Sequence, residues 1–240
     1  MLKKIFPLIN AFFVFIFLLS ITDAIYGSNL SSATITYKKG KVFTGLSKKG
    51  PLKPVTKGMI ITENSYIITE AKSRVEITFP DKSIIRLAPD TQLKLTRIYF
   101  PEKEGRLFSA KLFLGNMWAK VTHTIGKPRG SFNVQTVTAV AGVRGTVYDI
   151  RVFPDDTTII SVFKGSVGVK PPLMTEGGPK EEMDWPGQIS EQKWEEIIVG
   201  QLQRLRIAPD GTPGKPEPIV PAKEIEEWTL WNQERDKKQN

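Results

Sequence analysis

The side chains able to do covalent or metal chemistry are few in this sequence. His123 is the single histidine, and cysteine is absent. Thiol catalysis, disulfides, cysteine-based zinc sites and a cysteine-linked lipid anchor are therefore excluded. One histidine without cysteine does not make a nitrogen/sulfur metal site, and no nucleophile-elbow motif accompanies His123. Asp155-Asp156 supplies two adjacent carboxylates, but the acidic spacing of a calcium loop is missing. Asp81, Asp90, Asp155 and Asp210 each follow a proline and read as turn residues. A glycosidase needs two carboxylates about 5–10 Å apart, and nothing in the sequence marks such a pair. The expectation is a non-enzymatic chain with no catalytic, cofactor or metal residues. A carbohydrate-active enzyme is the remote alternative.

Two groups of residues are candidates for recognition instead. Gly142, Arg144, Gly145 and Thr146 form a glycine-punctuated run before a strand pattern. Arginine's planar fork suits a carboxylate or phosphate, although Arg144 could equally tie loop carbonyls together. Trp185, Trp194, Trp228 and Trp231 all lie late in the chain. Tryptophans beside basic residues can bind glycans or proteins, or they can fix a C-terminal segment onto the preceding domain.

The elements that would position these residues are mostly strands. Val147 to Val152 alternates, Pro154-Asp155-Asp156 turns the chain, and Thr157 to Phe163 returns as a β-branched run. Arg74 to Phe79 alternates as well, which puts Val75 and Ile77 on an apolar face and Glu76 on a polar one. With the turn at Pro80-Asp81 and the run Ile84 to Leu87, it predicts a hairpin. Gly40-Lys41-Val42-Phe43 is expected to continue the first strand. Gly115 argues against a helix over Leu107 to Val121 and predicts two strands around Gly115-Asn116. Glycine precedes an apolar strand at Gly40, Gly115 and Gly165, with looser echoes at Gly58 and Gly200. Many short strands with frequent turns predict an all-β fold: twisted stacked hairpins, β-solenoid-like or a sandwich.

The run Ala139-Val140-Ala141-Gly142-Val143-Arg144-Gly145-Thr146, followed by Ser161-Val162-Phe163-Lys164-Gly165-Ser166-Val167, resembles the core motif of FecR-like domains. The resemblance covers approximately Lys39 to Lys170. It implies an extracytoplasmic all-β domain, with transmembrane signalling as one family role. The regulator that names the family carries a cytoplasmic segment before its membrane helix, whereas only Met1 to Lys4 precede the apolar run here.

The 240 residues divide as follows. Lys3-Lys4 and the apolar run that follows read residues 1–27 as a cleaved signal peptide, with an uncleaved membrane anchor at 5–21 as the alternative. Residues 33–208 are the β domain, with a Pro/Gly-rich insertion at 171–190. A linker at 209–221 leads to a helix at 222–238, in which Ile225, Trp228 and Trp231 form an apolar stripe flanked by Leu230. A lone helix this short needs a partner surface; folding back onto the β domain is expected to supply one, with a surface on another protein as the alternative.

The function expected is an envelope binding, sensing or scaffolding module in the periplasm or secreted. The net charge of +9 suggests an anionic envelope polymer or glycan as the alternative partner. No nucleic-acid partner is expected, and the membrane is expected to be touched only through the N-terminal segment where that segment stays uncleaved.

Overall fold

The computed structural model describes residues 31–101, 104–122, 130–143, 145–172, 195–219 and 227–238. These residues form two sheets around one core, with a helix on the outside. The first sheet runs in the order β4 (Ile60–Thr62), β1 (Ser32–Lys39), β6 (Arg74–Thr78), β7 (Ile84–Leu87), β9 (Leu107–Lys120), β12 (Val147–Val152), β13 (Thr158–Lys164), β16 (Gln203–Ile207) and β17 (Glu217–Pro218), antiparallel throughout. The second runs β3 (Lys53–Pro54), β2 (Val42–Gly45), β5 (Tyr66–Thr69), β8 (Gln92–Tyr99), β9 again, β10 (Ser131–Gln135), β11 (Val140–Val143), β14 (Val167–Lys170) and β15 (Ile197–Val199). Only β9 and β10 run parallel among the described pairs.

Strand β9 belongs to both sheets. Leu107 to Leu114 pairs with β8, and Gly115 to Lys120 pairs with β12. The two strands expected around Gly115-Asn116 are thus one. Gly115 has φ +90°, and a Cβ there would stand 2.3 Å from Thr91 Oγ1 and 2.6 Å from Thr91 Cα. The left-handed glycine lets the strand turn a corner and keep its ladder. The same geometry recurs where the chain leaves one sheet for the other: Gly40, Asn64, Lys72, Asp90, Gly145, Gly165 and Leu202 all have positive φ. Gly40 therefore ends β1 rather than continuing it, and β2 lies in the second sheet.

The expected hairpin is β6–β7, with Ile77 opposite Ile85 and Asp81 Oδ1 accepting the Ser83 N–H at 2.9 Å. Asp155 and Asp210 close their turns in the same way on Thr157 and Thr212. Val75, Ile77, Ile85, Leu93, Phe108 and Ile150 are among the fully buried side chains between the sheets. Phe108 stacks on Phe132 with centroids 4.1 Å apart. Phe79 and Phe100 extend that aromatic group at one end.

The helix, α1 (Glu227–Lys238), lies on the outer face of the first sheet. Glu227 in its first turn and Arg235, Lys237 and Lys238 in its last complement the helix dipole. The segment expected as a linker does not run free up to Ile219. Gly214 N–H donates to Arg206 O, Ile219 N–H donates to Leu202 O, and β17 pairs with β16. The expected signal segment, most of the expected insertion and the first turn of the expected helix, with Ile225, lie outside the described residues. No helix among the described residues is long and apolar enough to cross a membrane.

Candidate functional site

A row of side chains crosses the outer face of the first sheet. Strand register places Tyr37, Glu76, Arg86, Trp118, Asp149, Ser161 and Arg204 opposite one another in succession. Alternation dictates this: each occupies the outward position between inward-facing core residues. Helix α1 lies over the middle of the row and closes it.

Arg86 is the hub. Its guanidinium is fully buried. Nε donates to Glu76 Oε2 at 2.7 Å, Nη1 meets Asp236 Oδ1 at 2.7 Å, and Nη1 also donates to the Asn232 carbonyl and Oδ1. Glu76 is 1% exposed and also accepts from Arg235 Nε at 3.1 Å and Thr36 Oγ1 at 2.7 Å. Burial pushes the Glu76 carboxyl up, but hydrogen bonds from Arg235, Arg86 and Thr36 outweigh it and bring it down to about 2. The polar-face assignment of Glu76 was right for the strand but wrong for its environment. The helix covers that face, so Glu76 is buried rather than solvated.

The tryptophans fix the helix. Trp228 is buried, and its indole N–H donates to Asp149 Oδ1 at 2.9 Å. Trp231 stacks on Trp228 at 5.4 Å, and the Arg74 guanidinium lies 4.9 Å from the Trp231 ring centroid. From the sheet side, Trp118 stacks on Phe163 at 4.7 Å and donates its indole N–H to Asp236 Oδ2 at 3.1 Å. Ala88, Trp118 and Trp228 form a second apolar cluster, separate from the main core. Leu230, on the opposite side of α1, is 48% exposed. Of the stripe expected for this helix, Trp228 and Trp231 face the sheet.

The glycine-punctuated run does different work. Gly142 on β11 pairs with Asn133 and Gly168. Gly145 has φ +61° at the corner into β12, and Gly165 has φ +81° at the corner out of β13. The two corners touch: a Cβ on Gly165 would lie 3.1 Å from the Gly145 carbonyl. Thr146 is fully buried, and its hydroxyl donates to Ser166 O at 2.9 Å, which ties the corners together. Two adjacent crossings between sheets therefore require small or left-handed residues at 145 and 165 together. This accounts physically for both halves of the sequence motif. Residues 65–168 match the family model described as FecR protein.

Over residues 65–168, the chain matches the FecR family. The match begins at residue 65, later than the approximate start at Lys39 expected from the motif, and spans β5 to β14. Two crystal structures of a candidate anti-sigma factor from Parabacteroides distasonis are similar to the chain. Each has 16% identity and a TM-score of 0.47, covering 70% of this chain and 64% of the other. The chain thus spans less than two thirds of the length of those proteins. No curated protein matches it.

The remaining candidates do not join these groups. Arg144, Trp185, Trp194 and His123 lie outside the described residues. Within the FecR-matching region and its flanks, no three His, Asp or Glu side chains among the described residues are placed to hold a metal ion. The ladder under α1 was not legible as a site. Its one sequence signal was Arg86 inside the apolar run Ile84-Ile85-Arg86-Leu87, a charge where a solvated face was not expected.

Proposed function

We propose that this chain is an extracytoplasmic, non-enzymatic sensing or protein-binding module built on its FecR domain, with α1 as the element that reports the state of the domain. The observation that carries this is the joint between α1 and the ladder. Arg86, Glu76 and Asp236 neutralise one another under the helix, and Trp228 and Trp231 seal it. Charges arranged this way hold a surface closed instead of presenting a reactive group to a substrate. A joint of paired buried charges is also all-or-none, since loss of one partner leaves another uncompensated. Such a joint can couple occupancy of the domain to exposure of the helix. The apolar run after Lys3-Lys4 supports placement outside the cytoplasm.

The test is a photo-crosslinking side chain at Leu230, on the exposed side of α1, in the full chain expressed in cells. A discrete crosslinked envelope protein is expected. Recovery of the full-length chain in the soluble cytoplasm, with no crosslinked species, would reject the proposal.

A further inference from the structure

Between Asp23 and Glu63 the sequence contains seven lysines and no acidic residue. Much of the net charge of +9 is therefore concentrated in one stretch. The fold gathers part of that stretch along one side of the sandwich. Strand β3 is an edge of the second sheet and β4 an edge of the first. In the turn joining β2 to β3, Leu46, Ser47, Lys48 and Lys49 are all exposed. It is a built turn: Gly50 N–H donates to Ser47 O, and Lys49 N–H donates to Ser47 Oγ. A Cβ on Gly45 would lie 2.8 Å from the Pro51 carbonyl, so the two arms of the turn are held close.

This side exposes apolar side chains that a solvated edge does not need. Leu46 is 75% exposed, Leu52 38% and Ile60 55%. Lys48, Lys49, Lys53 and Lys57 stand among them, all exposed, and none is ion-paired among the described residues. The chain also enters the fold here. Ser32 is opposite Thr62, and Gly45 is opposite Tyr66, on either side of the corner at Asn64. Strand β1 therefore begins at the same end as the turn.

We infer that the β2–β3 turn and the adjoining edge form a docking surface for a bilayer bearing anionic headgroups. Leu46 and Leu52 enter the headgroup boundary, while the four lysines meet phosphate groups with their stems lying along apolar surface. A soluble polyanion would satisfy the lysines and leave the leucines in water, so the pairing of the two types favours lipid. The surface adds a membrane contact to the N-terminal segment, and it is independent of the joint at α1.

Because the protein has no cysteine, a single Leu46→Cys substitution in the full chain accepts an environment-sensitive dye at one site. Asp210→Cys, in an exposed turn, serves as the reference site. With vesicles of phosphatidylcholine and phosphatidylglycerol, the dye at 46 should shift to the blue and be quenched by spin-labelled lipid, and the dye at 210 should not. Pure phosphatidylcholine should give little shift. Each Lys→Gln change at 48, 49, 53 or 57 should reduce the equilibrium constant for the inserted turn about fivefold, from about 1 kcal/mol per basic residue at an anionic surface. If the dye at 46 stays as solvent-exposed as the dye at 210 on anionic vesicles, the inference is overturned. It is equally overturned if a soluble polyphosphate shifts the dye at 46 as much as the vesicles do. Leu46 and the four lysines are exposed, so near-ultraviolet circular dichroism should show an unchanged fold in their variants. Asp210→Cys, which gives up the turn hydrogen bond from Thr212, should keep the same spectrum because the change is confined to an exposed turn.

Discussion

Removal of the Glu76 carboxylate tests the ladder most directly. Glu76 sits under α1 with three donors, and its carboxyl is lowered from an ordinary 4.5 to about 2. A group moved that far contributes about 3 kcal/mol of folding stability through linkage. The sign is fixed by the direction of the shift. A carboxyl whose folded value is depressed stabilises above its unfolded value and loses that contribution as pH falls toward the folded one. The contribution should be complete above about pH 5 and fade between 4.5 and 2. Glu76→Ala should then cost roughly 3–5 kcal/mol at pH 7, the usual penalty for orphaning a buried partner, here Arg86. The assay is chemical denaturation of wild type and variant at several pH values from 7 down to 2. The gap between them should narrow as the pH drops. Ile77→Ala, one residue along and facing the main core, should cost roughly 2–5 kcal/mol with no such pH dependence. A Glu76→Ala protein within about 0.5 kcal/mol of wild type at pH 7, or a gap that does not change with pH, would refute the reasoning.

Two further predictions concern backbone and helix. Gly115→Ala should destabilise by more than about 1 kcal/mol, because its Cβ would meet Thr91 backbone as well as side chain while the residue keeps φ +90°. An unchanged denaturation midpoint would show that β9 can turn its corner another way. A chain ending at Pro221 should melt at a lower temperature and bind an apolar-surface dye at the exposed Trp118–Phe163 pair. A loss of at least about 3 kcal/mol is expected from Trp228 alone, and identical melting would mean that α1 contributes nothing to the fold.

The strands were legible because their cause is local. Val75 and Ile77 alternate with polar neighbours, and the turn at Pro80-Asp81 has its own chemistry, so the β6–β7 hairpin is legible from Arg74 to Leu87 alone. The glycines before apolar strands were visible too, and Gly40, Gly58, Gly115 and Gly165 do adopt positive φ. Their role as corners between two sheets was hidden, since nothing near Gly115 says that its strand has partners on both sides of the bend. The ladder was hidden for a related reason. Glu76 reads as the polar face of an alternating strand, and nothing local marks Arg86 or Asp236 as its neighbours. Only an element more than a hundred residues away makes that face an interior. Asn232 shows the limit most clearly: fully buried, it donates to Trp228 O and accepts from Arg86, yet a polar residue beside a tryptophan gives no such sign in sequence.

Strand β9 also sets the order in which this molecule can be assembled. In the half made from β1 to β8, β7 and β8 are the inner edges of the two sheets, and both are filled by the same fourteen-residue strand. The half made from β10 onward starts from the opposite edges of that strand. Neither layer can release its part of β9 without straining the other, because the two ladders are made by consecutive halves of one continuous strand. The chain should therefore denature as one unit, and the amide protons of β9 should be the last to exchange with solvent. During synthesis, the first hundred residues emerge with the β7 and β8 edges unfilled. They would depend on a holding factor or on rapid delivery of β9 to avoid pairing with a neighbouring copy.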